Sequence, residues 1–159
     1  MDEKAHFLKT WSKEAPATRA VLSRIPEGSD YRPDPKSRTA REIAWLIVRE
    51  EILLAKGLET GTLEWEEAPA PPTMKEVLDT YDRHHDEATG KLEKADASRW
   101  SGKVPFRFQG QEVMNEPGAE TAWGFLLDII HHRGQLSTYL RPMGSTVPQI
   151  YGPSADEPM

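Results

Sequence analysis

The side chains best suited to chemistry in this 159-residue sequence are its five histidines, His6, His84, His85, His131 and His132, because it contains no cysteine. Without thiols there is no disulfide framework, no thiolate cluster and no cysteine nucleophile, so any bound metal must rely on His, Asp and Glu. No His-Glu-x-x-His motif and no pair of Glu-x-x-His motifs occurs, nor does a Gly-rich phosphate loop, a Gly-x-Ser-x-Gly elbow or a dinucleotide fingerprint. The search narrows to Asp128 and His132. Four residues apart on a helix, they share a face at the edge of the apolar arc, which suits two ligands from successive turns. The same spacing also serves an ordinary hydrogen-bonded pair, its commoner use. His131 lies further from the core, where it would support a ligand from behind, face substrate or simply meet solvent.

Other charged residues fall where burial makes demands. Arg133 lies inside the apolar arc, and a buried guanidinium requires a carboxylate opposite it. Glu50 and Glu51 lie near the apolar arc of an earlier helix, where an unpaired carboxylate is expensive. Either could be a third metal ligand; either could equally be the partner of Arg133, which physics alone favours. The pair His84 and His85 interrupts an apolar stripe, so one is expected to point inward as a core or rim histidine while the other meets water. His6, near the start of the chain, is expected to be solvated.

The elements that must position these residues are delimited by proline and glycine. The 13 prolines and 11 glycines gather in clusters that leave four helical stretches between them. The periodicity predicts helices over roughly 3–24, 37–56, 73–94 and 118–140, with an extended tail over roughly 142–159. Pro16 should kink the first. Ser37 is expected to cap the second and Gly57 to stop it. Thr73 and Glu76 form a capping-box pattern at the start of the third. The long links before and after the third helix allow crossovers along a bundle. Val104 to Phe108 alternates like a short extended ribbon, although Pro105 argues against a regular central strand. The fold expected is all-α: one four-helix bundle domain with long crossover connections, spanning residues 1–159.

Net charge is −6, with acidic and basic residues interspersed, so the broad positive surface needed for nucleic acid is not evident. The longest apolar runs fall far short of a membrane span. Met1-Asp2-Glu3-Lys4 lacks the basic-then-apolar plan of a signal peptide, and a cytoplasmic location is expected.

The run His131-His132-Arg133-Gly134-Gln135-Leu136, continuing through Tyr139-Leu140-Arg141-Pro142-Met143-Gly144 to Tyr151-Gly152-Pro153-Ser154, resembles the C-terminal signature of the DinB family of DinB/YfiT-like proteins. Ile25-Pro26, Tyr31-Arg32-Pro33 and Ala40 to Trp45 resemble its N-terminal plan. The resemblance covers nearly the whole chain. It implies a four-helix bundle, often dimeric, holding a divalent metal on three histidines, one from the second helix and two, spaced four apart, from the fourth. Carried over by position, His132 matches the last of these, Asp128 stands in place of the preceding histidine, and Leu46 falls where the second-helix histidine is expected. The site could be rebuilt from Glu50, Asp128 and His132, because Glu50 is one turn beyond Leu46. Two carboxylates and an imidazole would favour Mn, Fe, Ni or Zn. The resemblance further implies a metal-dependent transferase, involving low-molecular-weight thiols, or a hydrolase. The alternative is a metal-free bundle that binds a small molecule or serves as a dimeric structural module. The five tryptophans of so small a chain also suggested aromatic surface at a homodimer contact.

Overall fold

The computed structural model describes residues 2–159. In chain order the elements are α1 (Glu3–Ser23), α2 (Ala40–Thr60), β1 (Leu63–Trp65), α3 (Met74–Lys94), α4 (Ala97–Ser101), β2 (Lys103–Phe108), β3 (Gln111–Pro117) and α5 (Gly118–Leu140), then a 3-10 turn over Arg141–Met143. The expected all-α four-helix bundle is therefore corrected. The four long helices are present, but a fifth, short helix and a three-stranded mixed sheet occupy the links read as crossovers.

Helix limits follow local chemistry. Asp2 caps α1 by accepting from the Lys4 backbone N–H, and the helix continues through Pro16, whose ring is exposed. The cap of α2 is Thr39, not Ser37: Thr39 and Glu42 form a reciprocal capping box, so Ser37 is left in the approach. Nor does Gly57 stop the helix. Leu63 packs so close that a Cβ at Gly57 would lie 2.4 Å from its Cγ, and the glycine that ends α2 is Gly61, in the left-handed region at φ 90°. Thr73 and Glu76 make the expected capping box of α3.

The sheet order is β1-β2-β3, with β1 parallel to β2 and β2 antiparallel to β3. Gln109 and Gly110, with φ of 51° and 77°, close the β2–β3 hairpin through a turn with two positive φ angles. The expected extended ribbon exists, but contrary to expectation Pro105 lies in the central strand. The Pro105 carbonyl accepts from the Thr62 hydroxyl, so its missing N–H faces the same side. Strand β1 begins only at Leu63, opposite Phe106, and no ladder bond is forfeited there.

One contiguous apolar core joins the helices and the sheet, from Phe7 and Trp11 of α1 to Ile47 and Leu54 of α2, Val77 and Leu92 of α3, and Leu126 and Leu136 of α5. Trp11 and Trp100 are buried and Trp45, Trp65 and Trp123 are half-buried, so no tryptophan supplies the exposed surface the sequence suggested. No described helix is long and apolar enough to cross a membrane.

Buried within this core, Arg133 pairs with Glu14 of α1 at 2.8 Å, not with Glu50 or Glu51. Its guanidinium also donates to the Glu14 carbonyl, the Thr18 hydroxyl and the Tyr151 hydroxyl, and Tyr151 in turn donates to Glu14 at 2.7 Å. The pair thus ties α1, α5 and the C-terminal tail together. Glu14→Ala, which leaves the guanidinium buried without its counter-charge, is expected to destabilise the protein by about 3–5 kcal/mol. Urea denaturation would measure this, and Glu14→Leu combined with Arg133→Met should recover most of the loss.

Candidate metal centre

Helices α2 and α5 run antiparallel: the Tyr139 hydroxyl donates to the Arg38 carbonyl at one end, and Leu58 lies against Gly118 at the other. Between these ends, Glu50 of α2 faces Asp128 and His132 of α5. His132 Nε2 lies 3.6 Å from Glu50 Oε1 and 3.5 Å from Asp128 Oδ2, and one donor atom from each of the three residues lies within 4.8 Å of the other two. Glu50 is 4% exposed, whereas the Asp128 side chain is 54% exposed, so the triad has a buried floor and an open edge.

Gln135, one turn beyond His131, orders the imidazoles. Its Oε1 lies 3.0 Å from His132 Nδ1 and its amide nitrogen 3.2 Å from His131 Nε2. With the amide in this orientation, His132 donates from Nδ1 and presents the Nε2 lone pair to Glu50 and Asp128. His131 itself is exposed.

Glu50 carries the largest electrostatic cost. Its Oε2 is buried with no hydrogen-bond partner. Burial, then the hydrogen bond to Asp128 and that residue's charge, push its pKa up to about 9, with the nearby Arg38 guanidinium opposing them. Without a cation Glu50 therefore holds a proton at neutral pH, and the donor set is one that a divalent ion would complete.

The sequence placed Glu50, Asp128 and His132 as candidate ligands, and the structure brings all three together. Glu51 points the other way, accepting a hydrogen bond at 2.9 Å from His85 Nδ1 of α3. His85 is stacked between Trp11 and Tyr81. Burial works against charge on this imidazole, but the hydrogen bond and the charge of Glu51 outweigh it and hold its pKa above the usual value. His84 faces Glu87 at the surface, which fits the expected division of the pair. His6 is exposed beside Trp123. Leu46 lines the same cleft as the triad and offers no lone pair.

The triad opens into a cleft of about 1420 Å³ walled by Trp45 and Phe125 of the helices and by Trp65, Phe106 and Phe108 of the sheet. Sequence reasoning did not find this wall, because its sheet half depends on pairing β1 with β2. It also missed Glu14, although Trp11, Glu14, Thr18 and Val21 fall at three- and four-residue steps and so mark Glu14 as buried.

Fold and site together define a class: a helical bundle with an appended small sheet and a carboxylate–imidazole triad at the floor of an aromatic cleft. The model of the DinB family matches residues 1–159, and the chain belongs to that family. The protein YrdA of Bacillus subtilis strain 168 is 30% identical over 159 residues, covering 96% of this chain and 90% of its own. Two crystal structures share the fold. A DinB-like protein from Bacillus subtilis has a TM-score of 0.71 at 19% identity, covering 91% of this chain and 97% of its own. One from Bacillus cereus ATCC 10987 has 0.72 at 22%, covering 91% and 95%.

Because the folded pKa of Glu50 lies above that of the unfolded chain, folding takes up a proton between the two values, and stability falls as pH rises towards about 9. In EDTA-treated protein, Glu50→Gln is expected to add about 1–3 kcal/mol at pH 8 and little at pH 5. Urea midpoints at the two pH values would show it. An equal change at both would contradict the assignment.

Proposed function

We propose that this protein binds one divalent transition metal through Glu50, Asp128 and His132, and acts as a metal-dependent transferase or hydrolase on a small molecule held in the cleft. The observation that carries this reading is the buried Glu50 carboxylate, whose Oε2 has no hydrogen-bond partner and whose Oε1 lies 3.6 Å from His132 Nε2, beside the second carboxylate of Asp128. A cation would offset the cost of holding the Glu50 carboxylate buried beside a second carboxylate and an imidazole. Two carboxylates and one nitrogen suit Mn, Fe, Ni or Zn. When bound, such an ion supplies a Lewis acid that lowers the pKa of a thiol or water.

The chain's own residues do the rest. Glu50 releases its proton to become a charged ligand, so affinity rises with pH. Gln135 fixes the His132 tautomer. The aromatic wall excludes water and packs the apolar part of the substrate, while the half-exposed Asp128 leaves one side of the centre open.

Tag-free protein incubated with Mn, Ni or Zn, desalted and measured by ICP mass spectrometry is expected to hold about one equivalent of metal. His132→Ala should abolish it, and Gln135→Leu should weaken affinity about 10–100-fold. Less than about a tenth of an equivalent in the wild type would overturn the reading. Metal-dependent turnover across a panel of thiols and electrophiles is the corresponding test of activity.

A homodimer forms part of the same proposal. It is supported by the family resemblance and by the exposed apolar side chains Val113 and Met114 on the edge strand β3. Light scattering should give twice the 18.0 kDa chain mass; a monomer at micromolar concentration would rule the dimer out.

A further inference from the structure

The α2 side of the cleft carries three groups that only donate: the guanidinium of Arg38, the indole N–H of Trp45 and the guanidinium of Arg49. Arg38 directly precedes the Thr39 cap, Trp45 lies seven residues on, and Arg49 is one turn further, so the three follow one side of the helix. None meets an acceptor side chain. Trp45 Nε1 is shut away from solvent without a partner. Arg38 is exposed, and its hydrogen bond uses the backbone carbonyl. Arg49 lies over the Trp65 ring at 4.3 Å and meets no carboxylate. The arginines that hold the fold together behave differently: Arg19, Arg24, Arg133 and Arg141 each reach an acid.

The carboxylates of the cleft do not answer these donors. Glu42 is engaged in the α2 capping box, Glu67 accepts from the Trp65 indole, and Glu50 and Asp128 face His132. Glu116 and Glu120 lie where β3 ends and α5 begins, at the opposite end of the antiparallel helix pair from Arg38. The cleft thus carries unpaired guanidinium groups along α2, reaching as far as the triad, and exposed acids, Glu116 and Glu120, where α5 begins.

We infer that the cleft binds the oxyanion of an amphiphilic small molecule, a carboxylate or its phosphate or sulfonate equivalent, on the guanidinium groups of Arg38 and Arg49, with its apolar body against Phe106 and Phe125. This rests on reading the cleft as the substrate site and adds the charge of the substrate. The arrangement brings the anion to the triad: the Arg38 charge is felt at Glu50. The aromatic rings supply area and the donors supply direction, the usual division of labour in a small-molecule site.

The test is calorimetric titration of the EDTA-treated full chain with 4-phenylbutyrate, 4-phenylbutanol and 4-phenylbutylamine, which differ only in the charge of the head group. The acid is expected to bind at least about tenfold tighter than the alcohol, and the amine weakest. Arg38→Gln and Arg49→Gln should each weaken the acid about three- to tenfold and the alcohol less than about twofold, whereas Trp45→Phe, which removes a donor closed to the cleft, should change neither by more than about twofold. Equal binding of acid and alcohol, tighter binding of the amine, no binding of any probe, or variants that weaken all three alike would overturn the inference. Acid selectivity confined to metal-loaded protein would also overturn it, because the carboxylate would then be ligating the metal, and the proposed function would stand. Conversely, a protein that takes up no metal yet prefers the acid in EDTA would sink the metal reading and leave the oxyanion site intact.

Discussion

The burial of Arg133 against Glu14 sets the roll of α5, and the candidate centre depends on that roll. A guanidinium with 2% exposure tolerates little rotation of its helix, because any turn that separated it from Glu14, Thr18 and Tyr151 would leave a charge in the core. With Arg133 fixed on α1, His132 is turned about 100° away and Asp128 stands one turn below it, both towards α2. Helix α2 repeats the device. Glu51 is held by His85 of α3, so its neighbour Glu50 faces the other way, into α5. Two adjacent pairs, Arg133 with His132 and Glu51 with Glu50, therefore each contain one residue that locks a helix and one that the lock aims at the site.

This arrangement explains what was legible in the sequence and what was not. Apolar periodicity and capping residues disclosed the four long helices, and spacing placed Asp128 and His132 on one face. Position relative to the apolar arc also marked Glu50, Glu51 and Arg133 as unusually placed for charged residues, but helical spacing describes one helix and cannot say which neighbour receives a side chain. Arg133 was accordingly matched to the wrong acids. Its true partner lies on α1, more than a hundred residues away in the chain, in a stripe where a glutamate reads like an interruption. The sheet was hidden for a similar reason. A three-residue strand has no period to detect, and Pro105 argues against a ladder until the end of β1 is known to stop short of it. The tight hairpin at Gln109 and Gly110 lacks the asparagine or aspartate that most often announces such a turn.

The floor of the cleft trades stability for chemical capacity. A leucine at position 50 would pack without desolvation cost. Keeping a carboxylate there means tolerating a group that prefers its neutral form and leaves one oxygen unpaired. Conflicts of this kind between local stability and burial concentrate where a protein does something other than fold. The capping boxes of α2 and α3 and the core of aromatic and aliphatic side chains keep the surrounding scaffold rigid enough to hold the conflict in place.

The parallel pairing of Leu63 with Phe106 has a kinetic consequence. It joins segments roughly forty residues apart, with α3 and α4 between them, so the chain must close a long loop before the first ladder bond is rewarded. The helices α2 and α5 close a longer stretch of chain still, but the apolar core holds them, whereas β1 is joined to β2 through three residues alone. The same short, non-local ladder is also inexpensive to undo once formed. The β1 side of the wall, which carries Trp65, is thus the part of the cleft least costly to loosen, and opening it leaves the α2–α5 floor and its triad in place.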